Sequence, residues 1–205
     1  MAVLNLEQMT ETYADVLKEI GNIGAGNAMT ALAQMLNCKV DMKVPQVKLL
    51  DLCNVSTMVG SEEKLMAGVF LGVEGDISGS MMFLIELKAA KVLIKKLMMG
   101  YESGLNTLDE MEASAMQEVS NIITGAYLNS ISSLTNLVVY PTPPCLSIDM
   151  AGAILSVPAI EFGTLGDKIL LIQTQFSDEV EIDGYFILIP DVDSYKKILS
   201  SLGMM

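Results

Sequence analysis

Apolar and small residues recur at helical spacing through residues 15–35, DVLKEIGNIGAGNAMTALAQM. Leu17, Ile20, Gly24, Ala28, Ala31 and Met35 fall on one side, a stripe wide enough to dock a helix on a core. Asp15, Glu19 and Asn22 are spaced four and three apart. At ~100° per residue they share an arc of ~60° on the other side. Gly26, Thr30 and Ala33 continue this polar face. The pattern predicts a helix to about Asn37, with Thr10 or Thr12 as its cap.

After the helix the period changes from 3.6 to two. Residues 40–52 alternate apolar and polar around Pro45, as an edge strand does. Residues 54–64 are a polar connection. Residues 65–74 and 79–87 are two strands joined at Glu74-Gly75-Asp76, which predicts a hairpin. Residues 89–98 form a second amphipathic helix that stops at Gly100. A Gly-, Asn- and Ser-rich connection at 101–109 leads into another long helix at 108–134, with Asp109 or Thr107 near its start. Beyond it lie a Pro-interrupted strand at 136–150 and an apolar segment at 151–163. A hairpin of 168–176 with 184–190 and a helix at 194–202 end the chain.

The second half repeats the first. Glu118 lies 99 positions after Glu19, as Asn121 lies after Asn22, Gly125 after Gly26 and Pro144 after Pro45. At a shift of 105, Gly79 meets Gly184, Phe83 meets Leu188, Lys91 meets Lys196 and Leu97 meets Leu202. The expected fold is α/β of the α+β kind: a tandem duplication of a helix–three strands–helix unit, about residues 10–100 and 108–203. Strands of both halves would share one sheet beneath the long helices, giving one domain with pseudo-twofold symmetry.

Composition then removes function classes. At 205 residues and 22.1 kDa, with 51% hydrophobic and 18% charged residues, the chain can bury a core and is not of disordered composition. A net charge of −13 argues against nucleic acid and anionic membrane surfaces, which need clustered Lys and Arg. There is no histidine, and Cys38, Cys53 and Cys145 stand far apart, so a built-in zinc site, a Cys/His nucleophile and a Ser/His/Asp triad have no residues to form them. The odd cysteine number and an N-terminus without a basic region and apolar block predict reduced thiols and a cytoplasmic location. The uncharged stretches 20–37 and 119–148 are interrupted by Asn, Gln, Gly or Pro and read as internal helices, with no membrane insertion.

A solvated face is the ordinary use of Asp15, Glu19 and Asn22. Both halves, however, place asparagine and glycine in mid-helix at the same register, and mid-helix glycine costs ~1 kcal/mol relative to alanine. Helix stability would not select them; close approach of another group would, whether internal or from a partner. The order G-x-x-G-x-G at residues 21–26 sits inside a helix and does not meet the dinucleotide fingerprint. Asparagine does not titrate, so it orients water or donates a hydrogen bond, while glutamate anchors a cation. A face with neither nucleophile nor metal is suited to completing a site on a partner.

LKEIGNIGAGNAMTAL at 17–32 with VPQV at 44–47, EASAMQEVSNIITGAYLNSIS at 112–132 with Pro143 and Pro144, and GDISGS at 75–80 resemble the CheC family of chemotaxis phosphatases, relatives of CheX and FliY. The family pattern, Asp or Ser then x-x-x-Glu-x-x-Asn, is met in both halves. The resemblance implies hydrolysis of the aspartyl-phosphate of the response regulator CheY. It assigns Asn22 and Asn121 to positioning the attacking water and Glu19 and Glu118 to pairing with the regulator's lysine. Asp15 and Ser114, at the first motif position, and Gly26 and Gly125 are assigned to partner binding. No cofactor or metal of its own is implied; Mg2+ would be held by the regulator. The family includes members that bind the receptor deamidase CheD, which makes CheD a second expected partner. Two working sites are expected. The alternative of another class is a non-catalytic adaptor that binds a response regulator or CheD. Flagellar-switch relatives usually carry a further C-terminal domain, so a rotor component is the weaker expectation.

Overall fold

The computed structural model describes residues 11–36, 41–51, 55, 59–104, 107–162, 168–177 and 181–203. In chain order the elements are α1 (Glu11–Leu36), β1 (Asp41–Asp51), β2 (Leu65–Gly75), β3 (Gly79–Glu86), α2 (Leu87–Leu97), α3 (Glu110–Thr135), β4 (Val139–Pro141), β5 (Cys145–Met150), α4 (Ala151–Phe162), β6 (Lys168–Ser177), β7 (Glu181–Pro190) and α5 (Val192–Ser201). Both long helices have 26 residues, and α3 starts and stops 99 positions after α1, matching the expected repeat. Thr12 lies inside α1, so it does not cap it; Thr10 lies outside the described residues. The start of α3 follows from its chemistry: Asp109 accepts from the Glu112 N–H, and Glu112 reaches back to the Asp109 N–H, a reciprocal capping box.

The strands form one seven-stranded antiparallel sheet in the order β1-β6-β7-β3-β2-β4, with β5 also pairing β2. The halves meet at the centre, where β3 pairs β7 and Phe83 faces Phe186. They also exchange their first strands. β1 of the first half pairs β6 of the second, and β4 and β5 of the second pair β2 of the first. Neither half's hairpin is therefore flanked by its own first strand. The expected strand at 136–150 is two strands, because Thr142 turns the chain between them and closes both bonds to Gly72: its N–H donates to the Gly72 carbonyl at 2.9 Å and its Oγ1 accepts from the Gly72 N–H at 2.8 Å. A register shift between Lys43 and Gln46 marks the corresponding place around Pro45, where proline has no N–H to give to the ladder.

Period-two alternation buries both sheet faces. Met81, Phe83 and Ile85 of β3 join Ala67, Val69, Leu71, Ile172, Phe186 and Leu188 beneath α1, α2, α3 and Ile198 of α5. Met82 and Leu84 join Leu171, Ile187 and Ile189 on the other face, covered by Val55, Val59 and α4 through Ala151, Ile154 and Leu155. Within the apolar segment at 151–163, Ala151–Phe162 is thus a helix, which the expected unit lacked. Val55 and Val59, expected in a polar connection, are buried, and the Val59 N–H donates to the Val55 carbonyl at 3.2 Å in an i to i+4 turn. Among the described residues no helix is long and apolar enough to cross a membrane.

Candidate functional site

The site begins with how α1 and α3 lie on each other. Ile20, Gly24, Ala28 and Leu32 are buried in a row at i, i+4 spacing, while Ala31 and Met35 are only half-buried. The buried row lies along one i, i+4 ridge of the helix, the kind of ridge that packs into a neighbouring helix. Gly24 sits under the ring of Tyr127: a methyl group there would lie 2.4 Å from Cδ1. Tyr127 in turn stacks on Phe186 of the central strand, with centroids 4.5 Å apart. One turn further on, the Asn27 amide donates to Ser130 Oγ at 3.2 Å. The pair of helices is therefore seated on the middle of the sheet, which sets the direction of their outer faces.

Those outer faces carry the residues singled out from the sequence. Glu19, Asn22, Gly26 and Thr30 are exposed along α1; Ser114, Glu118 and Asn121 are exposed along α3, with Gly125 half-exposed. Among the described residues, Glu19, Asn22, Glu118 and Asn121 are exposed and have no side-chain hydrogen bond or ion pair. A Cβ added at Gly26 or Gly125 would meet nothing within 4 Å. Among the described residues these two glycines, unlike Gly24, have no neighbour that a side chain would meet. Thr30 Oγ1 donates to the Gly26 carbonyl at 3.0 Å and Ser114 Oγ to the Glu110 carbonyl at 2.8 Å, so both hydroxyls turn back on their own helix. The Asp15 position lies in α1, while its side chain is outside the described part of the structure.

The two faces are not identical. Gln117 donates to the Pro144 carbonyl at 3.3 Å, fastening the proline turn beside Glu118. The position 99 earlier is Lys18, which is exposed. The paired prolines therefore border the second face through a fixed contact.

A cluster absent from the sequence reading holds the start of α3. Glu112 is 1% exposed and accepts from Lys91 Nζ at 3.3 Å, the Ser103 and Asp109 N–H groups at 3.0 Å each, and Ser103 Oγ. Lys91 is itself 6% exposed, on α2. Burial pushes the Glu112 carboxyl up, but the bonds from Ser103, from the Asp109 backbone and from Lys91 outweigh it and hold the pKa at about 2. Asp109 is lowered as well, first by the Glu112 N–H and then by the Tyr101 hydroxyl. The signal that would have found Glu112 is Asp109-x-x-Glu112 ahead of an apolar-periodic run. Among the described residues no group of three or more His, Cys, Asp or Glu is placed to hold a metal ion.

This arrangement of paired outward helices on an exchanged-strand sheet is the fold of a known class of flagellar-switch and chemotaxis proteins. It superposes on the crystal structure of Thermotoga maritima FliY with a TM-score of 0.77 at 23% identity, over 96% of this chain and 98% of that one. CheX in a CheX–CheY–BeF3–Mg2+ complex from Borrelia burgdorferi matches with a TM-score of 0.53 at 18% identity, over 82% and 96%. The CheC-like family model matches residues 14–49 and 111–148, the segments that contain the two exposed faces. CheY-P phosphatase CheC of Bacillus subtilis is 36% identical over 198 residues, 94% of this chain and 95% of its own length. The chain belongs to the CheC-like family.

Proposed function

We propose that this chain is a protein phosphatase that removes the phosphoryl group from the aspartate of a CheY-type response regulator, acting in the cytoplasm through two sites. The observation that carries the reading is the doubled, exposed Glu-x-x-Asn face, without side-chain partners among the described residues and open above Gly26 and Gly125. It is supported by membership of the family that includes CheY-P phosphatase CheC, and by the shared fold with a CheX found in complex with CheY. Asn22 and Asn121 enter the regulator's active site and hold water in line with the phosphorus. Glu19 and Glu118 pair with a regulator lysine. Ser114 and Asp15 border the contact. Catalysis of this kind is positioning and charge stabilisation, so this chain needs no cofactor; Mg2+ stays with the regulator. CheD is a second partner under the same reading. Decay of a phosphorylated CheY-type regulator, followed with and without the protein, tests it. A lifetime unchanged despite saturable binding would instead make the chain an adaptor.

The glycines give a separate expected result. Gly26→Ala and Gly125→Ala fill open space in helix interiors, so each raises stability by ~1 kcal/mol. If that space receives the regulator, each also lowers the dephosphorylation rate at its site. Gly24→Ala, which collides with Tyr127, lowers stability instead. Denaturant melts and regulator turnover on the same three variants separate the two roles.

A further inference from the structure

Two large apolar side chains stand exposed at the N-terminal end of the second face. Met111 is 60% exposed in the first turn of α3, and Tyr101 is 43% exposed with its hydroxyl bonded to Asp109, two positions before Met111. Met111 precedes Glu118 by seven residues, so it lies within ~20° of it around the helix and ~10 Å from it along the axis. Asn121 is ~15 Å along the same axis. A standard protein interface covers ~800 Å² on each partner, a disc of ~16 Å radius. An interface centred on Asn121 therefore reaches Met111. The residue 99 positions earlier is Thr12.

We propose that Met111 is an apolar anchor for the response regulator at the second site, with Tyr101 extending the same patch. The inference rests on the phosphatase reading above and adds a positioning contact at the second site. Four features carry it. The side chain is long and adaptable, and methionine is enriched where interfaces form. Among the described residues it belongs to neither hydrophobic core cluster. It is continuous with the exposed Ser114–Glu118–Asn121 row. It lies on a chain of net charge −13, where an exposed apolar group beside carboxylates selects a regulator surface that offers an apolar side chain next to its lysine. Met111 touches no reacting atom and acts by holding the regulator in register.

The test isolates the second site with Asn22→Ala and measures regulator dephosphorylation at varied regulator concentration. Adding Met111→Ala is expected to raise KM about fivefold or more while kcat is kept, as for loss of a uniform binding contact. Met111→Leu, which restores an apolar side chain, is expected to return KM to the parent value. Thermal melting checks that the variants fold alike, as an exposed position allows. An unchanged KM, or a fall in kcat alone, overturns the anchor. The blank is Asn22→Ala with Asn121→Ala: if it is as active as Asn22→Ala alone, the asparagine reading fails first and the anchor falls with it.

Discussion

Asn22→Ala combined with Asn121→Ala is expected to reduce regulator dephosphorylation by about 100-fold, or ~2.7 kcal/mol of transition-state stabilisation. The magnitude is that of one preorganised donor lost at each reacting centre. Under the two-site proposal each single variant should keep the share contributed by the other site, since the two amides lie on different helices. Both amides are exposed and unbonded among the described residues, so alanine, a better helix former than asparagine, does not disturb folding. The measurement is decay of labelled phosphate on the regulator under single-turnover conditions. Glu19→Ala and Glu118→Ala should act more on KM than on kcat, because the proposed lysine contact exists before and during reaction. A double asparagine variant that retains the parent rate would remove the mechanism.

The parts of this molecule that were legible in advance are those written locally. Helical periodicity placed α1 and α3, and the 99-residue recurrence paired Glu19 with Glu118 and Asn22 with Asn121 on faces that the structure leaves exposed. Turn chemistry placed the β2–β3 hairpin: Gly75 has φ +118°, where a Cβ would strike the Val138 carbonyl oxygen at 2.2 Å. What escaped depends on distant partners. No period in β1 distinguishes pairing with β6 from pairing with β2, so the exchange of first strands had no local signal. The half-burial of Met35 and full burial of Leu32 depend on which neighbours the fold brings against α1, and the helix's own period does not record them. In α4, mean apolarity without periodicity fits helix and strand equally, and only the covered sheet face decides it. Lys91 and Lys196 align in the repeat, yet Lys91 is buried on Glu112 while Lys196 pairs with Asp193 at the surface. A charged letter carries no record of which neighbour desolvates it.

That buried pair sets the second large effect. Glu112→Gln is expected to lower stability at neutral pH by ~3 kcal/mol, because it leaves Lys91 charged, buried and without its counter-charge. Lys91→Met should cost less, since Glu112 would keep the Ser103 and Asp109 donors. Replacing both does not rescue the cost, for those donors would then be left unpaired. The pH dependence has a definite sign. The folded-state pKa of about 2 is below the ordinary 4.5, so unfolding takes up a proton between these values. The stabilisation is fully present above pH ~4.5 and is lost as pH falls toward ~2, so the gap between parent and Glu112→Gln should narrow across that window and no other. Urea melts of both proteins from pH 7 to 2.5 measure it. Because the cluster joins α2, the connection at Ser103 and the first turn of α3, the same variant should loosen the end of α3 that carries Met111 and Ser114 before it affects α1. Regulator turnover at the second site, isolated with Asn22→Ala, should therefore fall more than turnover at the first, isolated with Asn121→Ala; equal losses at both would mean that Glu112 supports the fold as a whole and not the second face in particular.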